Sequence, residues 1–328
     1  MKRFSSWLQT VAFALVCGFA FAADPMLVVG HKNPDTDAIV SAIAVAHLKT
    51  QMGVTAVPIA QGQPTPETKY VLERFQLTAP PVQTTVAGRQ VFLVDHSDYP
   101  QAPDDLTKAE IVGMVDHHKL GGLTTDKPIE AWVFPVGCSG TIIARMYAVA
   151  DVPIPQSIAG GMLSAILSDT LMFKSPTTTP EDRTTAAKLA MLAGVDDIQA
   201  LGMKIFEAKS QFKGISAMGL LKQDFKAFNM SGRKVGVAQL EMMDLGMVSP
   251  MKNDLRKAMG ELKADGYHSV LLMLTDIMKE GTELHALSDD AGIVETALGA
   301  KLQSGSVWLP GVVSRKKQVI PGLEKAFK

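Results

Sequence analysis

The feature that most constrains the fold is an alternation of short apolar runs with helical patterns along the first part of the chain. Runs rich in β-branched residues are typical of buried strands, and they recur at 26–30, 54–59, 91–95 and 111–116. Helical patterns at 37–52 and 65–75 separate the first three of these runs. This rhythm predicts an α/β fold in which helices cover a parallel sheet.

The pattern changes twice further along the chain. From about residue 139 it is helical, and it breaks near residues 210–216. Beyond the break a second α/β set follows, with strands predicted at 235–241 and 269–275, a helix between them at 250–264, and a last segment at 311–319. We therefore predict two domains, a larger one at 23–210 and a smaller one at 211–328.

The first 22 residues have the features of an export signal. Lys2 and Arg3 precede a mostly apolar stretch, and Ala20-Phe21-Ala22 places small residues at the two positions that a signal peptidase reads. The apolar stretch is short for a membrane span. We expect a cleaved signal peptide at 1–22 and an exported, periplasmic protein, with an uncleaved anchor as the alternative.

Composition excludes several kinds of partner. The chain carries 32 Lys+Arg and 33 Asp+Glu, so it has no overall basic field for nucleic acid or anionic lipid. After residue 22 no apolar run is long enough to span a bilayer, and Cys138 is the only thiol, so no internal disulfide can form. We expect no nucleic-acid partner and no membrane contact after signal cleavage. An anionic ligand would need a local cluster of cations.

Acidic and histidine side chains cluster where the predicted strands and one helix end. Open α/β sheets bind their ligands at the carboxyl ends of strands. The clusters are Gly30 to Asp37, Val94-Asp95-His96, Val115-Asp116-His117-His118 and Ser168-Asp169-Thr170. Each acid alone also suits a helix cap or a turn. Capping needs one acid, however, and does not explain His31, Asp35 and Asp37 within seven residues.

The residue types in these clusters favour a divalent metal. Carboxylates with imidazoles suit hard or borderline ions such as Mn²⁺, whereas the single Cys138 excludes a structural zinc ribbon. So many acids at one place would repel one another unless cations lay between them. Two metal ions that share bridging carboxylates are the simplest arrangement.

A basic run, Ser314-Arg315-Lys316-Lys317-Gln318, lies near the end of the second domain. It is open to two interpretations. Lysines commonly protect a solvated edge strand from pairing with another chain. Beside an acidic, metal-binding domain, an Arg and a Lys instead form the usual clamp on phosphate oxygens.

Five segments of the sequence resemble one known family, the manganese-dependent, family II inorganic pyrophosphatases of the DHH phosphoesterase superfamily. They are GHKNPDTDA at 30–38, VDH at 94–96, VDHH at 115–118, SDTLMFKSPT at 168–177 and VVSRKKQV at 312–319. The resemblance covers residues 26–328. It implies a DHH domain followed by a smaller DHH-associated domain, an active site in the cleft between them, and homodimers formed through the DHH domain.

The resemblance also implies an activity and the residues that carry it. Pyrophosphate would be hydrolysed to two phosphates by a hydroxide that two Mn²⁺ ions per subunit activate, with Co²⁺ as a substitute and Mg²⁺ bound with the substrate. The implied metal ligands are His31 and Asp35 for the first ion, Asp37 and His117 for the second, and Asp95 and Asp169 as bridges. The implied substrate-binding side chains are His118, Lys226, Arg315 and Lys316.

Two features depart from the family pattern. Members are usually cytoplasmic, which makes the cytoplasm the second candidate location beside export. After Asp95 the chain has His96-Ser97-Asp98, where relatives often carry Asn and Glu.

Two alternative functions remain beside pyrophosphate hydrolysis. One is that of a DHH-family phosphodiesterase or exopolyphosphatase, and the other is that of a non-catalytic exported binder of metal or polyphosphate. SRKKQ and the small number of aromatic residues for base stacking favour pyrophosphate over oligonucleotides.

Overall fold

A computed structural model describes residues 24–212 and 214–328. The predicted signal peptide at 1–22 lies outside the described residues. Among those described, no helix has the length and apolar character needed to cross a membrane. Two five-stranded sheets organise the molecule, one in each half of the chain.

The first sheet is entirely parallel, which confirms the predicted α/β class. Its strands lie in the order β2-β1-β3-β4-β5, so β1 is flanked on both sides and its side chains are buried. Parallel pairing brings the carboxyl ends of β1, β3 and β4 to one edge of the sheet. The strands are β1 (Met26–Val29), β2 (Ala56–Ile59), β3 (Gln90–Val94), β4 (Glu110–Asp116) and β5 (Glu130–Val133).

Six helices cover this sheet, and their ends follow from local sequence. Thr179 and Asp182 form a reciprocal capping box with Pro180 in the first turn, and Gly194 ends the same helix in the left-handed conformation at φ 68°. The helices are α1 (Thr36–Gln51), α2 (Pro66–Arg74), α3 (Ser139–Val149), α4 (Gln156–Asp169), α5 (Pro180–Ala193) and α6 (Ile198–Lys209).

The second sheet is mixed. Its order is β10-β9-β8-β7-β6, in which β7 and β8 are parallel and joined by a helix, while the other pairs are antiparallel. The strands are β6 (Phe225–Met230), β7 (Arg233–Met242), β8 (Ser269–Asp276), β9 (Gly281–Ser288) and β10 (Ser306–Pro310). The helices are α7 (Ala217–Gln223), α8 (Lys252–Ala264), α9 (Ala291–Leu298) and α10 (Ile320–Ala326).

The basic run near the end of the chain is not an edge strand, so that interpretation is wrong. Residues Arg315–Val319 form one wide helical turn that leads into α10, and Arg315 is buried. The chain turns here because the Gln318 side-chain oxygen accepts the backbone N–H groups of Val313 and Ser314, both at 3.0 Å. The Ser314 hydroxyl accepts the N–H of Lys317 at 3.3 Å.

The two halves of the chain meet in a small apolar cluster. Leu171, which follows α4, is buried with Phe206 of α6 and with Ile277 and Val313 of the second half. Leu171 and the next two residues, Met172 and Phe173, have left-handed backbone at φ 50°, 53° and 67°. Such a conformation costs roughly 1–2 kcal/mol per residue without glycine, so packing across the cluster must hold this turn.

Candidate active site

The first metal-candidate segment is the turn between β1 and α1. Asp35 caps α1, because one carboxylate oxygen accepts the N–H of Ala38 at 3.0 Å. The other oxygen lies 3.5 Å from Nε2 of His31. Capping and ligation are therefore compatible, since each uses a different oxygen of the same carboxylate.

Asp95 lies at the centre of the cluster. It follows β3 directly and has left-handed backbone at φ 61°, a conformation that is strained for a residue other than glycine and concentrates at functional sites. One oxygen is 3.3 Å from His31 Nε2, and the other is 3.1 Å from His117 Nε2 and 3.6 Å from His118 Nδ1. The carboxylate thus faces three imidazoles.

The tautomers of two histidines are set by backbone carbonyls. Nδ1 of His31 lies 2.8 Å from the Lys32 carbonyl oxygen, and Nδ1 of His117 lies 3.1 Å from that of Val136. Because a carbonyl can only accept, Nδ1 donates in both rings, and in the neutral ring Nε2 carries a lone pair. Nε2 of His31 is buried and has no hydrogen-bond partner among the described residues.

The remaining proposed ligands surround His117. Its Nε2 is 3.7 Å from an oxygen of Asp169 and 3.9 Å from one of Asp37. Asp37 is fully buried and accepts the Ser139 N–H at 2.8 Å and the Ser41 hydroxyl at 2.9 Å. Lone pairs and carboxylates that converge on one space have the donor chemistry of a divalent cation site, and these residues fit manganese.

The acids perturb one another strongly. Burial and then the charge of Asp95 raise the pKa of Asp37 to about 6, and burial with the charges of Asp37 and Asp35 raises the pKa of Asp169 well above its usual value. Burial opposes the protonation of His31, but the charge of Asp35 together with hydrogen bonds to Asp35 and Asp95 raises the pKa of His31 to about 10. The cluster therefore favours positive charge at its centre.

His118 is held by Asp116. The Asp116 carboxylate accepts both the backbone N–H of His118 at 3.0 Å and its ring Nδ1–H at 2.9 Å, so Nε2 is the free ring nitrogen. Burial, and then the positive charges of His117 and Lys226, lower the pKa of His118 to about 3. The ring is therefore neutral near pH 7.

Cationic side chains of the second half line the same cavity as Asp35, Asp95 and Asp169. Arg315 donates from Nη1 to the carbonyls of Asp224 and Val237 at 2.7 and 3.2 Å, and from Nη2 to the Asp224 carboxylate at 2.6 Å. These bonds leave two of its five N–H donors. Lys316 donates to the His117 carbonyl across the cleft, and Lys226 lies on β6 beside them.

Eight of the ten predicted site residues line one cleft, and the other two, His31 and Asp37, are buried beside it in contact with Asp95 and His117. The structure also adds residues that sequence reasoning missed. Asp224 is one, because only the fold brings it to Arg315. Cys138 is another, since its sulfur lies within 4.8 Å of ligand atoms of Asp37 and Asp169. Burial raises the pKa of its thiol, so it is a weak donor.

Each half of the chain matches the model of a known domain family. The model of the DHH family, N-terminal domain, matches residues 25–166, and the DHHA2 domain model matches residues 203–326. The fold is also that of a solved protein, a putative family II inorganic pyrophosphatase of Methanococcus jannaschii. The two structures superpose with a TM-score of 0.85 at 40% identity, over 92% of this chain and 99% of that one.

Relatives of known name match over nearly their whole length. The probable manganese-dependent inorganic pyrophosphatase of Archaeoglobus fulgidus is 48% identical over 92% of this chain and 97% of its own. The manganese-dependent inorganic pyrophosphatase of Methanothrix thermoacetophila is 46% identical over 93% of this chain and 99% of its own. Identity of this extent, together with the fold and both domain matches, shows that the chain belongs to the family of manganese-dependent, family II inorganic pyrophosphatases.

Proposed function

We propose that the protein is a manganese-dependent inorganic pyrophosphatase that hydrolyses pyrophosphate to two phosphates. One observation carries the proposal: a single cleft has carboxylates and imidazoles on one wall and Lys226, Arg315 and Lys316 on the other. Such a cleft matches a substrate that carries several negative charges and that arrives with metal. The names of the full-length relatives support the same reaction.

The proposed metal sites use six residues of the first half. His31 and Asp35 would hold one Mn²⁺, Asp37 and His117 a second, and the carboxylates of Asp95 and Asp169 would bridge them. The contacts of Asp95 with both His31 and His117 support its bridging role. When bound, Mn²⁺, or Co²⁺ in its place, supplies Lewis acidity that lowers the pKa of the attacking water and withdraws charge from phosphate oxygens.

The proposed role of the second half is to hold the substrate. Arg315 is oriented by Asp224, so its two remaining N–H groups can meet phosphate oxygens without further ordering. Lys226 and Lys316 add point charges that offset the charge of the leaving phosphate. Mg²⁺ bound to pyrophosphate would neutralise the rest of the charge.

His118 has a proposed role at the phosphate as well. Its Nδ1–H is held by Asp116, and its ring is neutral, so Nε2 accepts a hydrogen bond from water or from a protonated phosphate oxygen. Donation of a proton from Nε2 would require a charged ring, which burial disfavours.

The domain division, assembly and location belong to the same proposal. A DHH domain at 23–210 and a DHH-associated domain at 211–328 would close on the substrate and open to release phosphate. The β5 edge of the first sheet, which pairs with β4 on one side, would join a second copy in a homodimer. The segment 1–22 would direct export to the periplasm, with the cytoplasm as the alternative location.

The first experiment measures phosphate release from pyrophosphate by the full chain with Mn²⁺ or Mg²⁺. Asp95→Ala and Arg315→Ala should both abolish fast release, because each removes one wall of the cleft. Asp126→Ala and Arg233→Ala, at exposed positions, are the matched controls and should keep it. Absence of release from a folded, metal-loaded protein would overturn the assignment. Short polyphosphate and a dinucleotide, assayed in parallel, test the alternative phosphoesterases.

A further inference from the structure

A lysine with no role assigned so far lies close to the proposed metal ligands. Lys209 is the last residue of α6, and its Nζ lies 2.5 Å from a Glu241 oxygen, 3.3 Å from a Glu67 oxygen and 3.1 Å from the Ser168 hydroxyl. Glu67 and Ser168 are each only 3% exposed. A partly buried ammonium group with carboxylate partners on two sides forms a connected polar network.

The geometry of Lys209 argues against direct contact with the substrate. An ammonium group has three N–H donors, and three partners already surround this one. Glu241 and Glu67 supply two negative charges that keep the lysine protonated despite its burial. Lys209 also lines the catalytic cavity, so its charge is near the site even though its donors face other groups.

The partners of Lys209 are neighbours of the proposed metal ligands. Ser168 directly precedes Asp169 at the end of α4. The second oxygen of Glu67 accepts the Thr36 hydroxyl at 2.9 Å, and Thr36 lies between Asp35 and Asp37. Two of the ligand segments are therefore joined to Lys209 through one intervening residue each.

The third partner comes from the other half of the molecule. Glu241 lies on β7, the strand that also carries Gln239. Gln239 donates to the Val313 carbonyl at 3.0 Å, two residues before Arg315. Lys209 is therefore joined to both metal-ligand segments, and through Glu241 it contacts β7, the strand whose Gln239 is bonded to the substrate-binding turn.

We propose that Lys209 is a positioning residue that links Asp169 and the Asp35–Asp37 segment to the second domain through Glu241, so that domain closure sets the ligand geometry. The proposal rests on the proposed function, because it assigns Lys209 a part in the same reaction. Removal of the lysine alone would leave Glu241 and Glu67 unbalanced and would change metal affinity by charge alone. The informative variant therefore removes a cation and an anion together.

The test compares the double variant Lys209→Met, Glu241→Gln with the unmodified full chain. We expect kcat to fall about tenfold with KM changed less than threefold, and Mn²⁺ affinity measured by calorimetry to weaken about tenfold. Lys209→Arg with Glu241 intact should restore most of both quantities. Lys204→Met on the same helix, where the exposed lysine pairs with Glu207, is the control and should change neither.

Two outcomes would overturn the proposal. Values of kcat and Mn²⁺ affinity within twofold of the unmodified chain would make Lys209 a structural ion pair, and a raised KM at unchanged kcat would make it a substrate contact. If the double variant does not fold, Ser168→Ala removes one partner hydroxyl and must shift kcat and Mn²⁺ affinity in the same direction. If the unmodified chain releases no phosphate, the proposed function fails, yet the Mn²⁺ affinities still decide the role of Lys209.

Discussion

The two walls of the cleft are built in opposite ways. The first half gathers more carboxylates than imidazoles at the carboxyl ends of parallel strands, where Asp35, Asp95 and His117 converge. The second half places Arg315 on a helical turn and neutralises it with Asp224 of its own domain. The acidic wall therefore needs metal to balance its charge, whereas the basic wall is already oriented before substrate arrives.

This difference assigns separate tasks to the two halves. A wall whose charge is unbalanced binds metal strongly, because every added cation relieves repulsion among buried acids. On the basic wall the guanidinium is already hydrogen-bonded, so each new contact with phosphate contributes less binding free energy. Little side-chain entropy is lost on binding, however, because the group is already ordered. Changes on the acidic wall should therefore affect metal binding and turnover together, while changes on the basic wall should affect substrate affinity and leave metal binding intact.

We expect the largest effect from a change on the acidic wall. Asp169→Ala removes a proposed bridging carboxylate, and we expect phosphate release to fall at least about 1,000-fold, because the site loses both a ligand and its control of metal separation. Stopped-time phosphate assays with saturating Mn²⁺ measure the rate of phosphate release. Asp197→Ala removes an acid at the start of α6 and controls for helix damage. Activity within tenfold of the unmodified chain would contradict a bridging role.

A smaller effect should follow from a change in the basic wall. Arg315→Lys keeps the charge but loses the planar fork and the paired contacts with Asp224, so kcat/KM for pyrophosphate should fall about 30- to 100-fold, mainly through KM. Mn²⁺ affinity, measured by calorimetry, should stay within twofold. Lys317→Ala, at the exposed neighbouring cation, should be nearly neutral. A large loss of Mn²⁺ affinity in Arg315→Lys would contradict the separate roles of the two walls, because a change on the basic wall would then affect metal binding.

Metal removal sharpens the same comparison through stability. At a Mn²⁺ concentration 100 times its dissociation constant, binding stabilises the folded chain by about 2.7 kcal/mol, which corresponds to a rise in unfolding temperature of about 4 °C for a chain of this length. Calorimetric scans with chelator and with Mn²⁺ measure the rise. It should vanish in Asp95→Ala and persist in Arg315→Ala. A rise in both variants would show that the ion binds elsewhere.

The smallest effect concerns one histidine of each half that lies away from the cleft. Burial lowers the pKa of His47, which is bonded to Tyr147, and of His285, despite its contact with Glu283. The unfolded chain therefore takes up protons first, so the free energy of unfolding falls as pH drops below about 6.5. His47→Gln and His285→Gln should each lessen that dependence slightly in urea titrations. A steeper dependence in either variant would contradict the direction.

Much of the acidic wall could be predicted from sequence because its chemistry is local. Each cluster follows a strand or helix end, and parallel pairing brings those ends together, so His31, Asp95 and His117 were recognisable without coordinates. Less of the basic wall could be predicted from sequence. Lys226 lies on β6, which has no clear apolar alternation, and the turn at Arg315 depends on the reach of Gln318 back to Val313 and Ser314.

Other parts of the site could not be predicted because they depend on contacts distant in sequence. Lys209 and Glu241 are ordinary residues of a helix and a strand until the two elements pack together. Asp224 becomes informative only when Arg315, 91 residues later, reaches it. Strands β9 and β10 were missed as well, since β9 pairs with β8 and β10 pairs with β9 in antiparallel fashion, which breaks the earlier βαβ rhythm.

The left-handed turn at Leu171–Phe173 has a consequence for how the molecule unfolds. The turn is held by packing of Leu171 against Phe206, Ile277 and Val313, so part of its support comes from the second half of the chain. Loss of that half would expose Leu171 and leave the strained backbone free to relax. Packing across this cluster therefore couples the unfolding of the first sheet to the stability of the second half, so a change at Ile277 or Val313 should also destabilise the Leu171 turn.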